Sequence, residues 1–260
     1  MCGLRQIRCQ ARVTLPSDRI PTAMLRLTQH LGALLLAALP FVSSAAGFAD
    51  CPQFFPGGRA PTAPAQPLQR ELCFSEFAVL HSGVTKTPVY VAQRLNAQML
   101  EQGRELKRHD RFYAEARLPR AERAELEDYK RSGYSRGHMA PAGDMSTPEG
   151  KAQSFSLANM APQDAKHNGG AWARIEKDTR RYIERARGDV FVITGPLFEG
   201  VQEAIGPNKV RVPSHFFKLV YDATNGRSWV HLQRNAADER AGPPISYEDF
   251  VHRTGLRLLK

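Results

Sequence analysis

The sequence predicts an α+β fold built on a largely antiparallel sheet. Strand-like runs stand before and after a helical centre, without the regular strand–helix alternation of a parallel sheet. One clearly amphipathic helix lies in that centre. Asn225-Gly226, between two apolar runs, is a strong hairpin signal, because both residues tolerate the positive φ of a type I′ turn.

In chain order, residues 50–70 are rich in Pro and Gly and predict an irregular arm. Regular structure is expected from Leu72. Residues 72–81 (LCFSEFAVLH) alternate apolar and polar positions as a half-buried strand does, and 88–94 (PVYVAQR) read as a second strand. Residues 95–107 are polar and helix-permissive. Further on, Trp172, Ile175, Thr179, Tyr182 and Ala186 recur at helical spacing among charged positions, and Gly188 ends the pattern. Strand-like runs follow at 189–194, 212–221 and 228–233. Residues 246–255 read as a helix capped by Ser246.

The chain has 260 residues, 42% of them hydrophobic and 24% charged, which excludes a disordered chain and suits one sizeable domain. Residues 72–260 are expected to form it, with 47–71 as its Pro/Gly-rich arm. The first 46 residues read as a leader. A basic stretch including Arg26 precedes the apolar run 31–42, and Ser43-Ser44-Ala45-Ala46 follows, which is the order of a secretory signal peptide. Cleavage after Ala46 or Ala49 fits, and Met24 is the expected translation start. The apolar run is too short, and broken by Pro40, to span a membrane, so no span is expected in the mature protein. The expected location is therefore exported, periplasmic or secreted. Cys51 and Cys73 remain beyond the leader and predict one disulfide. The formal charge of +10 becomes +6 once five Arg and one Asp of the leader are removed. That balance suits an anionic partner such as nucleic acid, and equally a simple solubility charge.

The densest cluster of chemistry-bearing residues is 133–144 (GYSRGHMAPAGD). His138 can take a proton near neutral pH, Arg136 can fork onto phosphate oxygens, and Gly137 allows close approach. A second cluster, 155–176, gathers Asn159, Gln163 and Asn168 ahead of the amphipathic helix. An amide oxygen is a hard neutral ligand that magnesium accepts. Asn168 also stands where a helix cap is favoured. Glu176 suits the hydration shell of an ion, or an exposed i,i+4 pair with Arg180.

GYSRGHMAPAGDM, then SLANMAPQ, then HNGGAWARIE resemble the DNA/RNA non-specific endonuclease family, the ββα-metal (His-Me finger) nucleases that include endonuclease G-like enzymes. The flanking LCFSEFAVLHSGVTKTPVYVAQRL, FVITGPLF, VPSHFFKLVYD and RTGL keep the same order, so the resemblance spans roughly residues 50–258. It implies a central sheet with helices on both faces and a ββα unit that presents base and metal together. His138 is then the general base and Asn168 the direct ligand of Mg2+, for which Mn2+ can substitute. Arg136, Asn159 and Glu176 assist with phosphate contacts, site geometry and the ion's water shell. A further catalytic arginine is either Arg108 or Arg111 in KRHDRFYAEARLP. The implied substrates are DNA and RNA, cut to leave 5′-phosphate ends, and a homodimer is admissible. The family motif commonly has Asp where this chain has Ser135, which removes a negative charge. Two other classes therefore compete: a catalytically impaired nucleic-acid-binding relative, and an exported interaction domain with a basic surface.

Overall fold

The computed structural model describes residues 47–201 and 203–260; the expectations for the leader at 1–46 lie outside them. Its strands are β1 (Gln69–Cys73), β2 (Ala78–Ser82), β3 (Thr87–Leu95), β4 (Tyr134–His138), β5 (Met160–Asp164), β6 (Val190–Leu197), β7 (Ala204–Ile205), β8 (Val210–Arg211), β9 (His215–Asp222) and β10 (Arg227–Arg234). Its α-helices are α1 (Ala97–Gly103), α2 (Leu126–Tyr129), α3 (Pro148–Gln153), α4 (Ala165–His167), α5 (Ala173–Ile183) and α6 (Tyr247–Thr254).

Six strands form one antiparallel sheet in the order β1-β2-β3-β6-β9-β10. The Asn225-Gly226 turn joins its last two strands, with Gly226 at φ 71°. Alternation along β9 splits the sheet's faces. Phe217 and Leu219 meet Phe250 of α6 on one face, in a core shared with Ala92, Ile193 and Val230. Phe216 on the other face meets Trp172 and Ile175 of the α5 region, and Val220 meets Ile183. Helices therefore cover both faces, as the resemblance implied. Among the described residues, no helix is long and apolar enough to cross a membrane.

Two local departures have simple causes. Residues 72–81 are a hairpin and not one strand: Phe74 N–H donates to Phe77 O at 2.9 Å, and Glu76 in the turn accepts from Ser146 N and Thr147 N. The N-terminal stretch is irregular, as its prolines predict, but it is core. Three short 3₁₀ turns between Phe48 and Gly58 bury Phe48, Phe54 and Phe55, and the disulfide Cys51–Cys73 ties them to β1.

A separate two-stranded hairpin, β4 with β5, carries the site. Asn235, just past β10, clamps it to the large sheet. Its side-chain amide donates to Pro162 O and Pro213 O, and its Oδ1 accepts from Asp164 N.

Candidate active site

The β4–β5 hairpin was not legible as strands, because Tyr-Ser-Arg-Gly-His lacks apolar alternation. Pairing Tyr134 with Asp164 and His138 with Met160 fixes its register. The two-residue period then places Arg136 and His138 on one face and Ser135 and Gly137 on the other. The missing aspartate charge at Ser135 thus lies on the face away from the imidazole, opposite Gln163.

His138 packs edge-on against Phe155 at 5.2 Å and beside Phe112 at 5.8 Å between ring centroids. Its Nε2 is buried without a hydrogen-bond partner. Burial first, then the nearby Arg108 cation, push its pKa down to about 3, against an opposing pull from Asp110. The ring is therefore neutral at ordinary pH, with a free nitrogen, but burial makes it a weak proton acceptor in the unliganded protein. Arg136 lies over Phe112 at 4.8 Å and Tyr129 at 5.5 Å, and among the described residues no carboxylate pairs with it. Its guanidinium is held by aromatic faces and left free for an anion.

Arg108 and Arg111 are separated by the structure. Arg108 pairs with Asp110 and lies over the Phe155 ring at 5.4 Å, on the imidazole's side. Arg111 instead lines a cavity with Lys107, His109, Tyr113 and Lys151.

Asn159 is fully buried with its amide engaged. Oδ1 accepts from Ala140 N at 2.9 Å, and Nδ2 donates to Ala140 O and Ser154 O. The expected substrate contact by Asn159 is corrected accordingly: no polar atom of its amide is left over, and the side chain fastens the backbone two residues after His138.

The helix after β5 begins earlier than its periodicity indicated. Asp164 caps it, accepting from Lys166 N and His167 N. Asn168 therefore does not cap; it is helical, and among the described residues its amide makes no hydrogen bond. It opens a π-helical turn, Asn168–Trp172, that runs into α5. Eight residues of regular α-helix would leave position 176 about 80° out of line with position 168. The wider turn rotates less per residue and brings the two nearer to one face. Trp172 and Ile175 share a core with Met139 and Ala161, so the helix is seated on the hairpin's Gly137 side.

Glu176 forms no ion pair with Arg180, which binds Asp144 at 2.8 Å instead. Burial raises the Glu176 carboxyl to about 7, opposed chiefly by the Lys218 cation. Lys218 is itself buried on β9, donating to Thr194 Oγ1 at 2.9 Å and lying 5.4 Å from the Trp172 ring. The sequence reading missed this lysine, although a lone Lys inside the apolar run HFFKLV was the available signal. It also missed a link between the two halves of the site. The Gln163 side chain lies against Gly137 and bonds His167 Nδ1 at 3.0 Å, immediately before Asn168.

The donor set is of the hard-oxygen kind that a hydrated divalent cation accepts. One unengaged amide and one unpaired carboxylate share a helix, and among the described residues no group of three His, Cys, Asp or Glu forms a metal cage. Magnesium keeps most of its waters and needs few protein ligands.

Residues 58–248 match the family described as DNA/RNA non-specific endonuclease. Among curated relatives, the mitochondrial nuclease EXOG of Danio rerio is 36% identical over 146 residues, covering 52% of this chain and 42% of that protein. The mitochondrial Nuclease 1 of Schizosaccharomyces pombe is 34% identical over 155 residues, covering 55% and 48%. The match thus spans less than half the length of these relatives. EndoG, solved in the EndoG/EndoGI complex, superposes with a TM-score of 0.65 at 26% identity, covering 75% of this chain and 86% of that one. The mitochondrial relatives contradict the expected export, whether periplasmic or secreted: a basic, apolar, small-residue leader does not by itself distinguish the two destinations. By the extent and order of these matches, the chain belongs to the DNA/RNA non-specific endonuclease family, a family of metal-dependent nucleases.

Proposed function

We propose that this chain hydrolyses the phosphodiester backbone of DNA and RNA with Mg2+, using His138 as general base and leaving 5′-phosphate ends. The observation that carries the reading is the shared strand face of Arg136 and His138: an unpaired guanidinium beside a neutral, partnerless imidazole.

His138 takes a proton from the attacking water. Burial is the larger cause of the imidazole's lowered pKa and the Arg108 cation the lesser; a bound phosphate supplies negative charge that offsets the cation's share, so proton acceptance becomes easier once substrate is present. Arg136 and Arg108 grip non-bridging phosphate oxygens and balance the charge that grows there. Asn159 holds the chain behind the base in register. Asn168 would hold the magnesium, which when bound neutralises phosphate charge and stabilises the leaving oxygen. Glu176 orders water on the same helix. Contacts of this kind address backbone phosphates, which carry no base identity and no 2′-hydroxyl requirement. The mitochondrial relatives support a mitochondrial setting.

Purified protein is incubated with plasmid and with RNA, in Mg2+ or in chelator, beside His138→Ala. Cleavage should need both the ion and the imidazole, and the products should accept a labelled phosphate only after phosphatase treatment. Cleavage that ignores chelation or survives in the variant overturns the assignment. DNA bound tightly but left intact would return the impaired-binder reading.

A further inference from the structure

The stretch 107–113, which turns where Arg111 N–H donates to His109 O at 2.7 Å, presents two different chemistries on its two sides. Arg108 and Phe112 point to the catalytic face, over Phe155 and beside His138, with Asp110 paired to Arg108. Lys107, His109, Arg111 and Tyr113 line the opposite side, a cavity of about 520 Å3 completed by Leu106, Pro148, Lys151 and Ala152. The anchoring of the stretch is specific: Tyr113 N–H donates to Phe155 O, and Leu157 N–H donates to Tyr113 O.

The lining contains three Lys or Arg and no carboxylate. Among the described residues, Lys107 and Arg111 have no ion-pair partner, whereas Arg70, Arg117, Arg123, Arg180 and Arg234 are all paired with carboxylates. Lys151 is buried and bonded only to the carbonyls of Gly103 and Leu106. Tyr113, at 37% exposure, is one of the few large aromatics left open to solvent. An exposed ring beside unpaired cations fits a nucleotide, with the ring under the base and the cations along the phosphates.

We infer that this cavity is a subsite for single-stranded nucleic acid flanking the scissile phosphate, with a splayed base on Tyr113 and backbone phosphates on Arg111 and Lys107. The inference rests on the nuclease reading above and gives Arg111 a role distinct from that of Arg108. A strand gripped by Arg108 at the reacting phosphate passes to Arg111 and Lys107 across the width of this one segment. A base held in a duplex cannot reach the ring, so the subsite favours single strands and frayed ends.

Binding is measured by fluorescence anisotropy with chelator present, in the His138→Ala background, using a labelled single strand of about twelve nucleotides and its duplex. Tyr113→Ala should weaken single-strand binding by about five- to a hundredfold, and Tyr113→Phe should restore it, since stacking needs only the ring. Arg111→Ala should lower the slope of log affinity against log salt by about 0.7, the share of one single-strand phosphate contact. Duplex binding should lose less than single-strand binding in Tyr113→Ala. Unaltered affinity and salt slope in both alanine variants overturn the subsite, as does an equal loss for duplex and single strand. If the parent chain cuts plasmid while the variants bind like their parent, only the subsite falls. If the parent chain neither binds nor cuts nucleic acid, the nuclease reading falls with it.

Discussion

Gly137→Ala tests whether the two halves of the site are coupled through packing. A Cβ built on Gly137 would stand 2.7 Å from the Cβ of Gln163 and 3.0 Å from its Cδ, and would meet Oε1 more closely still. The nearest of these atoms can swing away, but the Gln163 Cβ is fixed to a paired strand, so the hairpin must open or the amide must leave. Overpacking of this kind costs about 1–3 kcal/mol. In a domain of this size that lowers Tm by roughly 2–12 °C. The effect on activity should be larger than the effect on stability. Displacing Gln163 breaks its bond to His167, the residue before Asn168, and so shifts the ion's ligand relative to the base on β4. A shift near 1 Å costs about a hundredfold in rate. The assay pairs thermal unfolding with plasmid cleavage across a magnesium titration. A Gln163→Ala background, which removes Oε1 and Cδ but keeps Cβ, should recover part of the loss in Tm but not the loss in rate, because the bond to His167 is absent there too. Full activity in Gly137→Ala, with an unmoved magnesium midpoint, would refute the coupling.

Three further outcomes follow from the charge pattern and the crosslink. With Glu176 raised to about 7 by burial, kcat/KM should climb as pH rises through 7 and the carboxyl loses its proton; Glu176→Gln should flatten that limb, and an unchanged profile counts against the role. His81, His138 and His231 are pushed down to about 4, 3 and 4, chiefly by burial, so the folded state binds fewer protons than the unfolded state below pH 6.5. Stability should therefore fall as pH drops from 6.5 toward 4, opposed among the described residues by Glu176, whose raised pKa acts with the other sign; a flat Tm between pH 6.5 and 4.5 would contradict this. Replacing Cys51 and Cys73 together by Ser should cost roughly 3 kcal/mol by chemical denaturation, because the bond closes a 22-residue separation; no shift in the midpoint would show that packing of the arm suffices.

What could be read in advance was set by periodicity. Strands β3, β6 and β9, buried on both faces, were legible as apolar runs, β10 as a strand-like run after a hairpin turn, and the helix around Ile175 as one repeating buried face. The β4–β5 hairpin was not, because its residues do not alternate by polarity: Arg136 and His138 share one face, and Gly137 on the other is small to admit Gln163. The motif led to His138, Arg136 and Asn168, but partners remote in sequence stayed hidden. Spacing offered Arg180 to Glu176, while the fold gives Arg180 to Asp144, 36 positions away. Neither could spacing choose between Arg108 and Arg111, since only the folded path, with its tight turn from His109 to Arg111, shows which side each takes.

The clamp at Asn235 has an evolutionary consequence. One amide fastens the hairpin to the edge of the large sheet, while the hairpin and its helix keep their own packing. Drift elsewhere in the six strands would then carry His138 and Asn168, the proposed base and ion ligand, as one rigid cassette, preserving their mutual spacing. Loss of the clamp would leave that spacing intact and spoil its aim, giving a protein with a complete set of reactive groups turned away from the strand it should cut.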